Sequence, residues 1–171
     1  MLLGHHAKAG TGGAFLPHTW SLEWADFAIN GQSVGEIGIE ACFAGYWDVP
    51  LILVQGEEAG CREAQTQFPG VATAAVKRAE SHDRCSGLDA ASARRLTAQK
   101  VAEAIEMVRS DRPAPFKPSL PMRVSVRLSS TAAAEAAAAK PGARRTDEVT
   151  VEWVVERQCD IVKGIANAGV D

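Results

Sequence analysis

Three of the chain's four histidines, His5, His6 and His18, fall within its first eighteen residues, on a stretch that also carries Gly10, Gly12 and Gly13. Imidazole is the commonest metal ligand and a proton carrier near neutral pH, so such a loop can bind a metal or move protons. A second reading stays open: a glycine-rich loop with solvated histidines, since an adjacent pair and a distant third make no metal signature. Glu36 is equally double. Ser33-Val34-Gly35-Glu36 matches S-x-x-E, in which the Glu bonds back to the amide of the capping Ser. The same carboxylate, in a helix's first turn, also suits a metal. Glu57 and Glu58 follow an apolar run and open another predicted helix, where the dipole favours acids. They also stand at a strand's carboxyl end, a position from which an amine can be bound. Lys8 and Lys77 are single cations without an evident partner. Trp20, Trp24, Trp47 and Trp153 read as packing residues.

These side chains need elements to hold them. Met1-Leu2-Leu3 reads as the end of a buried strand, and the histidine loop follows at once. Such a start raises the expectation that polypeptide precedes it. Trp24 to Ile29 alternates like a strand and ends in the turn signal Asn30-Gly31. A helix is expected from Ser33, with Val34, Ile37, Ala41 and Ala44 on one face. Its glycines 35, 38 and 45 lower helix propensity and suggest close packing. Leu51 to Val54 is a continuous apolar run, which suits a strand buried on both faces of a parallel sheet. A helix over about 57–68 and a strand over 71–76 complete a βαβ unit. A longer helix, about 89–109, carries Ala98, Val101, Ile105 and Val108 on one face.

Pro113, Pro115, Pro118 and Pro121 mark 111–121 as a linker. Beyond it, alternation at Val124, Val126 and Leu128 and again at Val149, Val151 and Trp153 predicts two half-exposed strands. Helices are expected over 132–139 and 158–168. The fold class is thus α/β: a partly parallel sheet with flanking helices over 1–110, then a smaller α+β module over 122–171.

The chain has 171 residues, 46% hydrophobic and 23% charged, with a formal net charge of −3. That is enough chain to bury a core. The basic residues are scattered, so no nucleic-acid surface is expected. No stretch is long and apolar enough for a membrane span. Cys42, Cys61, Cys85 and Cys159 form no C-x-x-C pair, so they read as reduced thiols in a cytoplasmic protein.

Several ordered stretches resemble the zinc-dependent D-aminopeptidase family, peptidase family M55. They are Leu3-Gly4-His5-His6-Ala7-Lys8-Ala9-Gly10-Thr11, Pro17-His18-Thr19-Trp20-Ser21, and Ile29 to Gly38. Ala44-Gly45-Tyr46-Trp47-Asp48-Val49-Pro50 and Thr73-Ala74-Ala75-Val76-Lys77 follow. The resemblance implies a two-zinc aminopeptidase that removes D-amino acids from the amino termini of short peptides, as a homo-oligomer. Carried over by motif, it makes His6 and Glu36 zinc ligands and His18 a catalytic histidine. His5 takes a position that is usually aromatic, and His82 lies where no motif matches. The family's Asp-x-Glu-Gly motif and a further histidine ligand have no counterpart here. The resemblance therefore implies the C-terminal part of the family's chain, with an upstream polypeptide supplying the missing ligands. The alternative it leaves is a non-catalytic remnant or subunit that keeps the fold.

Overall fold

The computed structural model describes residues 1–161. In chain order the elements are β1 (Leu2–His5), β2 (Trp24–Ile29), β3 (Gln32–Ser33), α1 (Glu36–Tyr46), β4 (Leu53–Glu57), α2 (Glu58–Gln67), β5 (Ala72–Ala79) and β6 (Cys85–Gly87). Then follow α3 (Ala90–Ser110), β7 (Met122–Leu128), α4 (Thr131–Ala138), β8 (Arg144–Arg145), β9 (Thr150–Val155) and a 3₁₀ turn at Gln158–Asp160. The rest of the helix expected over 158–168 lies outside the described residues.

Two sheets form. The first has the order β1-β4-β5-β6. β1, β4 and β5 run parallel, and β6 is antiparallel. Leu53 and Val54 of β4 are buried, as an interior parallel strand requires. The helix α2 joins β4 to β5 as the expected βαβ crossover. β1 is an edge strand, and its Leu3 is exposed rather than buried.

The second sheet is antiparallel, in the order β3-β2-β7-β9-β8. It overturns the expected division of the chain. Residues 122–161 do not form a module of their own, because their strand β7 pairs with β2, with Phe27 opposite Val126. The reason is burial. Trp24, Phe27 and Ile29 share one core with Val124, Val126, Val151 and Trp153. The Phe27 ring meets Trp24 at 5.7 Å and Trp153 at 6.4 Å. Two short strands and a small helix alone would bury too little apolar surface. The turn between β2 and β3 places both Asn30 and Gly31 at positive φ, 51° and 80°, as a tight hairpin of this kind demands.

The stretch 111–121 is likewise no mere linker. Phe116 packs against both cores and meets Phe68 edge-on at 5.3 Å. Buried Gln158 ties it down, donating to the carbonyls of Phe116 (3.0 Å) and Cys42 (3.2 Å).

The helix α1 lies between the two cores. Ile37 and Ala41 face the first sheet's cluster, and Ile39 and Cys42 face the second's. A helix apolar on both sides must be buried on both. Its glycines serve this: a Cβ at Gly45 would collide with the Phe116 carbonyl. The helix starts three residues later than Ser33, with Gly35 as its N-cap and no side-chain cap. In α3 the inward face is also rotated from the expected one. Ala104 is buried, whereas Ile105 is 40% exposed. Among the described residues no helix is long and apolar enough to cross a membrane.

Candidate metal centre

His6 leaves the carboxyl end of β1, and Glu36 opens α1, the helix wedged between the sheets. His18 sits on the loop between them. The structure brings all three together: one ligand atom of each lies within 4.8 Å of the others. His6 Nε2 stands 3.8 Å from Glu36 Oε2, and His18 Nε2 stands 3.8 Å from Glu36 Oε1. The imidazole rings stack, with centroids 4.0 Å apart and 17° between their planes. Side-chain exposures of 20–31% leave the group half-buried but reachable.

The backbone fixes which nitrogen faces inward. His6 Nδ1 lies 3.0 Å from the Ala7 carbonyl, and His18 Nδ1 lies 2.8 Å from the Leu16 carbonyl. A carbonyl only accepts, so each Nδ1 carries the hydrogen. Each Nε2 is then turned toward the Glu36 carboxylate. An imidazole held by a carbonyl at one nitrogen and presenting the other is the usual arrangement of a metal-bound histidine. Separations of 3.8 Å are too long for direct hydrogen bonds. Nitrogen and oxygen donors on one tetrahedral zinc stand about 3.4 Å apart, so a small contraction would close His6 Nε2 and Glu36 Oε2 on an ion beside His18. The residues present fit such an ion.

Neighbouring groups hold the loop in place. Glu36 Oε1 accepts from the Trp20 amide at 2.7 Å, and Ser33 takes no part in capping it. The capping-box alternative is therefore not what α1 uses. The Thr19 hydroxyl, 1% exposed, accepts from the Ala9 amide at 3.1 Å. The Leu16 amide donates to the main-chain carbonyl of His82 at 2.7 Å. His82 thus supports the loop through its backbone. Lys8 reaches Ser33, which in turn bonds Asp26, and its own amide donates to Glu63 Oε2 at 2.7 Å. Burial pushes the Glu63 carboxyl above its ordinary range, and the hydrogen bond from the Lys8 amide opposes that rise. His5 turns aside: its Nε2 lies 3.4 Å from Glu40 Oε2, one helical turn beyond Glu36.

A cavity of about 190 Å³ opens beside the histidines, lined by His6, His18, Phe15, Gln55, Glu57 and Lys77 among others. Sequence reasoning missed the carbonyls of Ala7 and Leu16, because a backbone acceptor leaves no mark on residue type, and the Thr19 hydroxyl, because nothing in the sequence pairs it with the Ala9 amide.

The family profile Peptidase_M55, described as D-aminopeptidase, matches residues 1–166. The chain is 35% identical over 154 residues to a D-aminopeptidase of Bacillus subtilis (strain 168), covering 90% of this chain and 55% of that protein. Its fold is similar to the solved structure of Zn-dependent D-aminopeptidase DppA from Bacillus subtilis, a self-compartmentalizing protease. The TM-score is 0.91 at 30% identity, over 97% of this chain and 61% of that one. The chain thus spans a little over half the length of these relatives.

Proposed function

Because the chain belongs to the Peptidase_M55 family of D-aminopeptidases, we propose that it carries zinc-dependent aminopeptidase chemistry directed at the amino-terminal D-residues of short peptides. The observation that carries this reading is the convergence of His6, His18 and Glu36. His6 through Nε2 and Glu36 through its carboxylate would hold the zinc. When bound, zinc supplies Lewis-acid polarisation of the scissile carbonyl.

His18 is the proton carrier in this reading. Its Nδ1–H is pinned by the Leu16 carbonyl, which leaves Nε2 free to take a proton from the attacking water and return it to the leaving amine. The stack on His6 keeps the ring over the centre. Glu36 is held by the Trp20 amide, so its second oxygen keeps a fixed direction toward His6.

A catalytic zinc takes about three protein ligands, and a pair of zincs needs more than His6 and Glu36 supply. The remaining donors of a two-zinc centre would come from other polypeptide, consistent with the greater length of the relatives. Assembly of several copies, as in the self-compartmentalizing relative, belongs to the same proposal.

Calorimetric zinc titration, paired with hydrolysis of a D-alanyl anilide, tests this. The chain on its own is expected to bind zinc and to turn over well below the roughly 1–10³ per second of ordinary enzymes. Tight binding of two zincs per chain with full turnover would refute the split of ligands. No zinc binding would refute the reading.

A further inference from the structure

Glu57 ends β4 and caps α2, beside the histidine loop. It is 3% exposed, a buried acid. Its Oε2 accepts from the Ala59 amide at 2.6 Å, which accounts for one oxygen. Its Oε1 is fully covered and has no hydrogen-bond partner. A buried carboxylate oxygen left bare is costly, because the charge loses water and gains nothing in return. Lys77 is its register neighbour on β5, yet no ion pair joins them among the described residues. Glu57 nevertheless lines the same cavity as His6 and His18. Gly56 and Gly60, on either side of it, lie directly against the main chain of His5 and His6; a Cβ at Gly60 would come within 2.8 Å of the His6 carbonyl carbon.

We propose that Glu57 anchors the α-ammonium group of the substrate. The inference rests on the aminopeptidase reading above. An ammonium in the cavity is the group that this bare carboxylate oxygen best accommodates, through a charge-assisted hydrogen bond that requires the side chain to turn Oε1 out of its cover toward the cavity. A peptide held there by its amino terminus places its first carbonyl next to His6 and His18. Glu57 is thus a positioning and specificity residue, selecting peptides with a free amino terminus; it performs no proton transfer.

The test is an NMR titration of the full chain with D-alaninamide and with propanamide, which lacks the ammonium. D-alaninamide is expected to shift the Gly56 and Ala59 amide signals and to bind at least about tenfold tighter than propanamide. Glu57→Gln keeps an acceptor for the Ala59 amide but removes the charge, so the preference should vanish. Glu57→Asp, which keeps the charge, should restore part of it. Equal affinity of the wild-type chain for both amides overturns the proposal. So does a Glu57→Gln variant that keeps the preference. If Glu57→Gln fails to fold, the wild-type comparison and Glu57→Asp decide. Zinc titration of the same samples separates the two readings. Glu57→Gln is expected to bind zinc as the wild type does, and its loss of zinc would make Glu57 a ligand rather than an anchor. Ammonium discrimination in a chain that binds no zinc would sink the aminopeptidase reading and leave the anchor standing.

Discussion

His6 and His18 stack with their centroids 4.0 Å apart, and each is pinned at Nδ1 by a backbone carbonyl of its own loop. The two rings therefore share one orientation, and both present Nε2 to a single carboxylate, Glu36. Residues twelve and eighteen positions apart from one another in sequence meet because β1, the loop and α1 converge at one end of the parallel sheet. Open α/β sheets commonly place their sites there.

The loop's shape depends on Thr19. Replacing it with Val keeps the volume but leaves the Ala9 amide without its acceptor. We expect a loss of about 1–3 kcal/mol in stability, read by urea denaturation. Zinc affinity should fall about 10–100-fold, as for other residues that orient ligands without touching the metal. A Thr19→Val variant with unchanged zinc affinity would show that the loop keeps its form without this bond.

Glu63 gives a pH signature. Its folded-state carboxyl is raised above the ordinary 4.5 by burial. The folded protein therefore takes up this proton at higher pH than the unfolded chain. Wild-type stability at this group rises as pH falls from the raised value toward 4.5, and is lowest above it. Glu63→Gln keeps an acceptor for the Lys8 amide and carries no charge. It should be more stable than wild type near neutral pH, with the gap closing as the solution is acidified. Glu63→Ala, which orphans that amide, should cost about 1 kcal/mol. Thermal melts across the pH range check both, and a gap that widens on acidification would contradict the account.

Gly56 has no room for a side chain. A Cβ there would collide with the His5 carbonyl on the neighbouring strand. Gly56→Ala should force β1 away from β4, costing about 1–3 kcal/mol as overpacking does. Since His6 follows directly, zinc binding should weaken in step. A Gly56→Ala chain with wild-type stability would show that the β1 edge gives way freely.

Much of the first sheet was legible in the sequence. The apolar run at Leu51–Val54 and the βαβ spacing are local patterns whose bounds fall within three residues of their elements, and the Asn30-Gly31 turn of the second sheet was equally local. That His6, His18 and Glu36 come together in space was also legible, through the motifs that carry the family resemblance. What the sequence hid is long-range. Nothing in the alternation of Trp24–Ile29 says that its partner is β7, almost a hundred residues on. Ser33 and Glu36 hold the spacing of a capping box, but Ser33 is drawn into β3 and bonds Asp26, so Gly35 caps the helix instead. Phe116 lies in a proline-rich stretch that looks like a spacer, and only the packing of two cores shows that it belongs to both.

In the proposed centre His6 and Glu36 hold a zinc ion over which His18 is stacked. Anomalous diffraction at the zinc absorption edge, from crystals grown with zinc, checks this at the ligand atoms themselves. The predicted result is a peak bonded to His6 Nε2 and a Glu36 oxygen at about 2.0–2.2 Å, lost in Glu36→Ala. No peak there, or zinc found instead at His82 or between His5 and Glu40, would contradict it.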